Sequence, residues 1–149
     1  MLTLEDLQMM PELPQGPVQV SLREFVPRLY QETIFSTAAK AHTLVVLPTG
    51  LGKTGISMML AAHRLNQYPD AKVLILAPTR PLVQQHIETF QQHLSLPAEA
   101  YACFTGFVAS EKRAAQWQNA RVIFSTPQGL ENDLISGRIQ FTDVALLVF

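Results

Sequence analysis

The chain has 149 residues, of which 48% are hydrophobic and 15% charged, a size and balance that suit one globular domain with a sizeable core. No run of 18 or more apolar residues occurs, so no membrane-spanning helix is expected. Eleven basic against twelve acidic residues leave a net charge of -1, so bulk charge gives no support for nucleic-acid binding and any such contact has to be local.

Residues 1–20 carry Pro11, Pro14, Pro17 and Gly16 and read as an irregular lead-in or a strap laid over the core. A lone cysteine, Cys103, excludes an internal disulfide and reads as a buried strand residue. With no signal-peptide pattern at the start, a cytoplasmic setting is the default. From Arg28 to Ala41 the pattern predicts a helix with Leu29, Phe35, Ala38 and Ala39 among its buried positions. On it, Gln31 has an amide that can both donate to and accept from an adenine edge; the plainer reading is an exposed helical glutamine.

The segment from Thr43 to Thr54 organises the chain. Residues 43–47 are apolar and β-rich, Pro48 to Gly52 interrupt a strand, and Ile56 to Ala62 read as buried helix. A strand, a glycine loop and a helix in that order suit a phosphate chain: backbone N–H groups close around the oxygens and the helix start adds positive dipole. Lys53 is then placed for the β- and γ-phosphates and the Thr54 hydroxyl for magnesium. Leu47 stands where the general phosphate-loop pattern has glycine.

Beyond the turn at residues 66–70, Lys72 to Ala77 form a continuous apolar run, expected as a parallel strand covered on both faces. In the helix that follows, Val83, Ile87, Phe90 and Leu94 share one stripe, Pro81 suits the first turn and Thr79 can cap. Thr79 and Arg80 suit a nucleic-acid phosphate, or equally a capped helix start with a solvated arginine. A third strand, Ala100 to Phe104, delivers Thr105 and Gly106, either a close approach to a ligand or a plain turn. Ser110 to Gln118 read as helix with Lys112 and Arg113 exposed and Trp117 packing on the sheet. The strand at residues 121–125 leads to Thr126 and Pro127, a capped helix start, with Leu130 and Leu134 on one face and Gly137 at the end. Val144 to Phe149 read as a buried strand that stops without an exit turn, as in a fragment cut in mid-fold. His42, His63, His86 and His93 have no metal-ligand spacing.

Strands alternating with helices argue for an α/β sandwich with a mostly parallel sheet, whose ligands sit at the carboxyl ends of the strands. The loops at 49–54, 79–80, 105–106 and 126–127 each follow an expected strand and should share that rim.

Five stretches together look like the ordered motifs of the first motor domain of superfamily 2 helicases: Arg28-x-Tyr30-Gln31, Leu47 to Thr54, Ala77 to Gln85, Thr105-Gly106 and Ser125 to Gln128. With Asn132-Asp133-Leu134 and Leu146 to Phe149, the chain from about residue 28 most resembles the Fanconi-anaemia group M helicases and their archaeal fork-DNA helicase-nuclease (Hef-like) relatives. It is nearer to these than to the Dicer-type RNA branch. The resemblance implies a RecA-like three-layer sandwich, with residues 1–27 as lead-in and 28–149 as an incomplete first motor domain. It implies that Gln31, Leu47, Pro48, Thr49, Gly50, Leu51, Gly52, Lys53 and Thr54 bind ATP. Lys53 and Thr54 would be catalytic, and Thr54 would hold Mg2+. Thr79, Arg80, Thr105, Gly106, Thr126 and Pro127 would contact a bound strand.

The partners so implied are forked or branched DNA, met mainly at its backbone, and a second motor domain, with no membrane. The setting would be the nucleoid of a prokaryote or the nucleus of a eukaryote. An Asp-Glu-x-His box is expected just past residue 149, so these residues alone are expected not to turn over ATP appreciably. Asp143, Glu131 and Asp133 are poor stand-ins for its carboxylates. A small-molecule P-loop kinase would need a basic lid that no cluster here supplies, and a nonenzymatic nucleotide-gated module is a third class. A GTPase is disfavoured because no Asn-Lys-x-Asp base reader is present.

Overall fold

The computed structural model describes residues 18–106 and 108–149. Four strands, β1 (Lys72–Leu76), β2 (Tyr101–Phe104), β3 (Val122–Ser125) and β4 (Val144–Val148), form one sheet in the order β2-β3-β1-β4. Every pairing is parallel, with Val73 opposite Val122, Tyr101 opposite Val122, and Lys72 opposite Val144. Helices α1 (Leu29–Ala38), α2 (Lys53–Gln67), α3 (Arg80–His93), α4 (Ser110–Asn119) and α5 (Pro127–Ile135) complete the regular structure, with two short 3-10 turns at Ala98–Ala100 and Phe141–Asp143. Among the described residues no helix is long and apolar enough to cross a membrane.

The strands alternate their side chains between two apolar layers, as the period of two requires. Val73, Ile75, Tyr101, Val122 and Phe124 meet Met58, Ala61 and Leu65 of α2 and the Val83, Ile87, Phe90, Leu94 stripe that α3 carries up to its C-cap. Leu74, Ala102, Phe104 and Ile123 meet Trp117 of α4 and Leu130 of α5 on the other side. The result is a three-layer sandwich with β1 and β3 buried at its centre. Burying one fully covered side chain such as Val73 or Phe124 contributes about 1.5–3 kcal/mol, and both have no exposed surface.

A strap crosses the first layer. Both backbone groups of Val20 bond the side chain of Asn66 at 2.7 Å, Leu22 bridges Leu94, and Arg23 donates to the carbonyls of Gln91 and Gln92. The strap reading of the lead-in therefore holds for residues 18–20; its three prolines lie outside the described residues. Glu24 takes a left-handed turn, φ 51, after which Phe25 lies against Gly55.

Four expectations change. Residues 43–47 belong to no strand, and Leu44 and Val46 are 87% and 81% exposed. Strand preference is a preference for a pleated, half-covered surface, and among the described residues no ladder receives this segment. β4 pairs with β1 alone, so it is a half-buried edge strand instead of a buried one, and Phe149 is exposed. On α1 Leu29 is exposed and Phe35, Ala38 and Ala39 are only half-buried, because the helix turns its Gln31 side inward. Cys103 is half-buried.

Candidate nucleotide site and nucleic-acid rim

Helix α2 fixes where the phosphate loop lies. Its last turn leads through residues 68–71 straight into β1, and Arg121, just before β3, donates to the Leu65 carbonyl at 3.0 Å. The C-terminal end of α2 is thus at the rim where the strands begin, and its N-terminus is at the rim where they end. The loops after β1, β2 and β3 leave from that same rim. The expected convergence is present, although for the phosphate loop it comes from the direction of α2 and not from a preceding strand.

The loop itself has the features of an anion cradle. Gly50 and Gly52 have φ of 85 and 79, and α2 starts on Gly52 with no side-chain cap. The first N–H groups of a helix have no partner in the helix body; that of Gly55 donates to the Gly52 carbonyl at 3.1 Å, which leaves those of Lys53 and Thr54 to face an anion. Lys53 is exposed and folds back so that Nζ donates to the Leu47 carbonyl at 2.5 Å. Thr54 follows on the first turn, half-buried. These residues fit a nucleoside triphosphate with its magnesium: backbone donors, one exposed cation and the Thr54 hydroxyl. No group of three or more acidic, His or Cys side chains suited to a metal occurs among the described residues.

Gln31 is no exposed helical glutamine. It is 4% exposed, its Oε1 accepts from the Arg28 N–H at 2.8 Å, and its Nε2 donates to the Gly52 carbonyl at 3.0 Å. Beside it the Tyr30 hydroxyl donates to the Leu51 carbonyl at 2.6 Å. Two consecutive residues of α1 therefore hold two consecutive carbonyls of the loop. A side chain at Gly52 would come within 2.4 Å of Gln31 Nε2, and one at Gly55 within 2.7 Å of Phe25 Cζ. Tyr30 lies inside the Arg28-x-Tyr30-Gln31 stretch, whereas Phe25 and Gly55 are structural partners of the loop outside every stretch singled out in the sequence; the glycine inside an otherwise strong helical pattern is the available signal.

On the rim, Ser125 is fully buried and its Oγ donates to the Phe104 carbonyl at 3.0 Å, joining the ends of β2 and β3. Thr126 caps α5 by accepting from the Gly129 N–H at 3.3 Å, with Pro127 in the first turn. Gly106 lies close to Arg80, whose Nη2 would be 3.0 Å from any Cβ there. Thr79 occupies the N-cap position of α3, but its hydroxyl makes no capping bond, contrary to the expectation that it caps. Thr79, Arg80, Thr105, Gly106, Thr126 and Pro127 thus lie along one rim.

Arg113 departs from expectation. It is not solvated: its side chain is 13% exposed and pairs with Asp133, which has no exposed surface. Burial pushes the Asp133 carboxyl up, and the hydrogen bonds and charges of Arg113 and then Arg138 more than offset this, holding it below the ordinary carboxylate range. Asp133 falls three residues after Leu130 and one before Leu134, so the helical period already put it on the inner face. Asp143 ends the turn just before β4 and lies at the opposite rim.

A RecA-like parallel sheet with a Gly-Lys-Thr loop and three further loops along one rim has the architecture of a helicase domain. The family model for DEAD/DEAH box helicases matches residues 28–149, and the chain belongs to that family. It is 44% identical over 108 residues to the Drosophila melanogaster DEAD-box ATP-dependent DNA helicase Fancm, covering 72% of this chain and 7% of that protein. Identity is also 44% over 110 residues to the Arabidopsis thaliana DEAD-box ATP-dependent RNA helicase FANCM, covering 74% and 8%. The crystal structure of the Pyrococcus furiosus Hef helicase domain superposes with a TM-score of 0.80 at 51% identity, over 83% of this chain and 26% of that one. The chain thus groups with the Hef and Fanconi-anaemia group M helicases, and it spans less than a tenth of those two curated relatives.

Proposed function

We propose that residues 28–149 are part of the first motor domain of an ATP-dependent helicase or translocase that acts on forked or branched DNA in repair, with residues 1–27 as its lead-in. The observation that carries this reading is the pairing of an uncapped glycine start to α2 with an exposed Lys53, on the rim that also holds Arg80, Gly106 and Thr126.

In this reading the amides from Gly50 to Thr54 cradle the phosphates, with Leu47, Pro48, Thr49 and Leu51 shaping the loop. Lys53 exchanges the Leu47 carbonyl for a phosphate oxygen, and the Thr54 hydroxyl serves Mg2+. ATP supplies the free energy that the motor converts to movement. Gln31 has one N–H and one lone pair beyond its two bonds, and these are the groups left for adenine. Thr79, Arg80, Thr105, Gly106, Thr126 and Pro127 meet the backbone of one strand, which positions a nucleic acid without reading its bases. A second motor domain completes the nucleotide site, and the protein works in the nucleus of a eukaryote or the nucleoid of a prokaryote.

DNA is favoured over RNA by the likeness to the Hef helicase domain and Fancm, while the Arabidopsis relative carries an RNA helicase name. The test is ATP hydrolysis by the full protein with forked DNA, linear duplex DNA and structured RNA. Stimulation greatest with forked DNA, and weakened by Arg80→Ala, supports the reading; equal stimulation by RNA contradicts it.

A further inference from the structure

The network around Asp133 takes no part in the phosphate loop, yet it holds one of the rim loops. Arg113 on α4 grips the carboxylate with two parallel bonds, Nε to Oδ2 and Nη2 to Oδ1, both 2.7 Å. Its remaining nitrogen, Nη1, donates to the Val108 carbonyl. The Val108 N–H in turn donates to the Thr105 carbonyl at 3.0 Å, closing the turn that carries Gly106. Arg138 Nη1 adds a bond to Oδ1 at 3.2 Å, and the Asp133 carbonyl accepts from Ser136 Oγ.

For stability alone, a buried ion pair does no better than well-packed apolar side chains. A planar guanidinium fork does something apolar groups cannot: it fixes direction and distance among several oxygens at once. Here one fork joins α5, which begins at Thr126, to the far end of the Thr105–Val108 turn. The near end of that turn is already anchored by Ser125 on the Phe104 carbonyl, and Arg80 lies against its Gly106.

We propose that Arg113 and Asp133 are positioning residues that set the spacing between the Thr105–Gly106 turn and the Thr126 helix start, so that both meet the backbone of one nucleic-acid strand. The proposal rests on the nucleic-acid reading of the rim. Loosening the fork then weakens nucleic-acid binding and leaves nucleotide binding, which is built on α1 and α2, as it was.

The full protein is compared with its Arg113→Lys, Asp133→Asn and Arg80→Ala variants. Arg113→Lys keeps the charge and loses the fork, and it decides the matter if Asp133→Asn does not fold. Three quantities are measured: Mg-ATP affinity, kcat at saturating single-stranded DNA, and the KM for that DNA. Loss of a charge-assisted contact or two corresponds to a rise in KM of about tenfold or more. The expected result is that rise in Arg113→Lys and Asp133→Asn, with kcat and Mg-ATP affinity within about twofold of wild type, well under the tenfold that 1.4 kcal/mol represents. A KM raised in Arg80→Ala but unchanged in the other two overturns the positioning role while keeping the rim reading. A KM unchanged in all three overturns both. A fall in kcat and in the nucleotide-binding fraction with KM unchanged marks a merely structural ion pair and also overturns the proposal.

Discussion

Gln31 Nε2 donates to the carbonyl of Gly52, the residue on which α2 begins, at 3.0 Å. With Tyr30 on the Leu51 carbonyl, this makes α1 and the phosphate loop one unit. Replacing Gln31 by Ala removes two part-buried side-chain bonds, one to the Arg28 N–H and one to the Gly52 carbonyl, a loss of about 0.5–1.5 kcal/mol for each. Mg-ATP affinity measured by calorimetry should fall about tenfold for each 1.4 kcal/mol that reaches the loop. Gln31→Glu should be as weak, since an ionised carboxylate cannot donate to Gly52. Wild-type affinity in either variant would remove the strut role.

Gly55→Ala gives a second, opposite-signed expectation. In an open helix the change stabilises by about 1 kcal/mol. At this position the new Cβ would come within 2.7 Å of Phe25 Cζ and 2.9 Å of Gln31 Nε2. Thermal unfolding should therefore show a lowered Tm, partly restored by the further change Phe25→Leu. A raised Tm in Gly55→Ala would mean that Phe25 does not sit on the helix.

Much of this arrangement was legible in the sequence because its causes are local. The α3 stripe, the Thr126-Pro127 start and the apolar strands at 72–76 and 122–125 follow from periodicity and capping, and they fixed the sandwich and three of the four rim loops. What escaped depends on partners distant in sequence. The strand expected at 43–47 needs a neighbouring edge, Leu29 depends on which side of α1 faces α2, and Arg113 seemed a surface cation until Asp133, twenty residues on, took it in. Thr79 has the right type and place for a cap, yet its hydroxyl leaves the helix start alone. The loop at residues 47–54 stands out in the sequence by its pattern, but its bracing by Tyr30, Gln31 and Phe25 emerges only in three dimensions.

Acid should act on the fold through Asp133. Its carboxyl is raised by burial and lowered further by Arg113 and then Arg138, so its folded value lies below the ordinary one, about 3.9 for an unfolded aspartate. The unfolded chain therefore binds this proton first. The stabilisation is fully present above that value and is lost as pH falls below it toward the folded value. Urea midpoints taken from pH 6 down to pH 3 should fall in the wild type, and Asp133→Asn should flatten the part of the curve below about pH 4. An unchanged acid limb in Asp133→Asn would show that the pair is not linked to folding.

These 149 residues by themselves should bind nucleotide without appreciable turnover. Asp133 is committed to two arginines, and Asp143 lies at the rim opposite the loop, so neither can orient water for attack. Phosphate release by the purified chain with DNA present should match that of its Lys53→Ala variant. DNA-stimulated release that Lys53→Ala abolishes would overturn this.

The central claim, that the loop from Leu47 to Thr54 is a working phosphate cradle, is tested most directly by calorimetric titration of Mg-ATP into the full protein beside its Lys53→Ala variant. The structure predicts saturable binding in the wild type and its loss in Lys53→Ala, because the only side-chain cation of that loop, seen donating to Leu47, would be gone. Equal binding by both proteins would contradict the account.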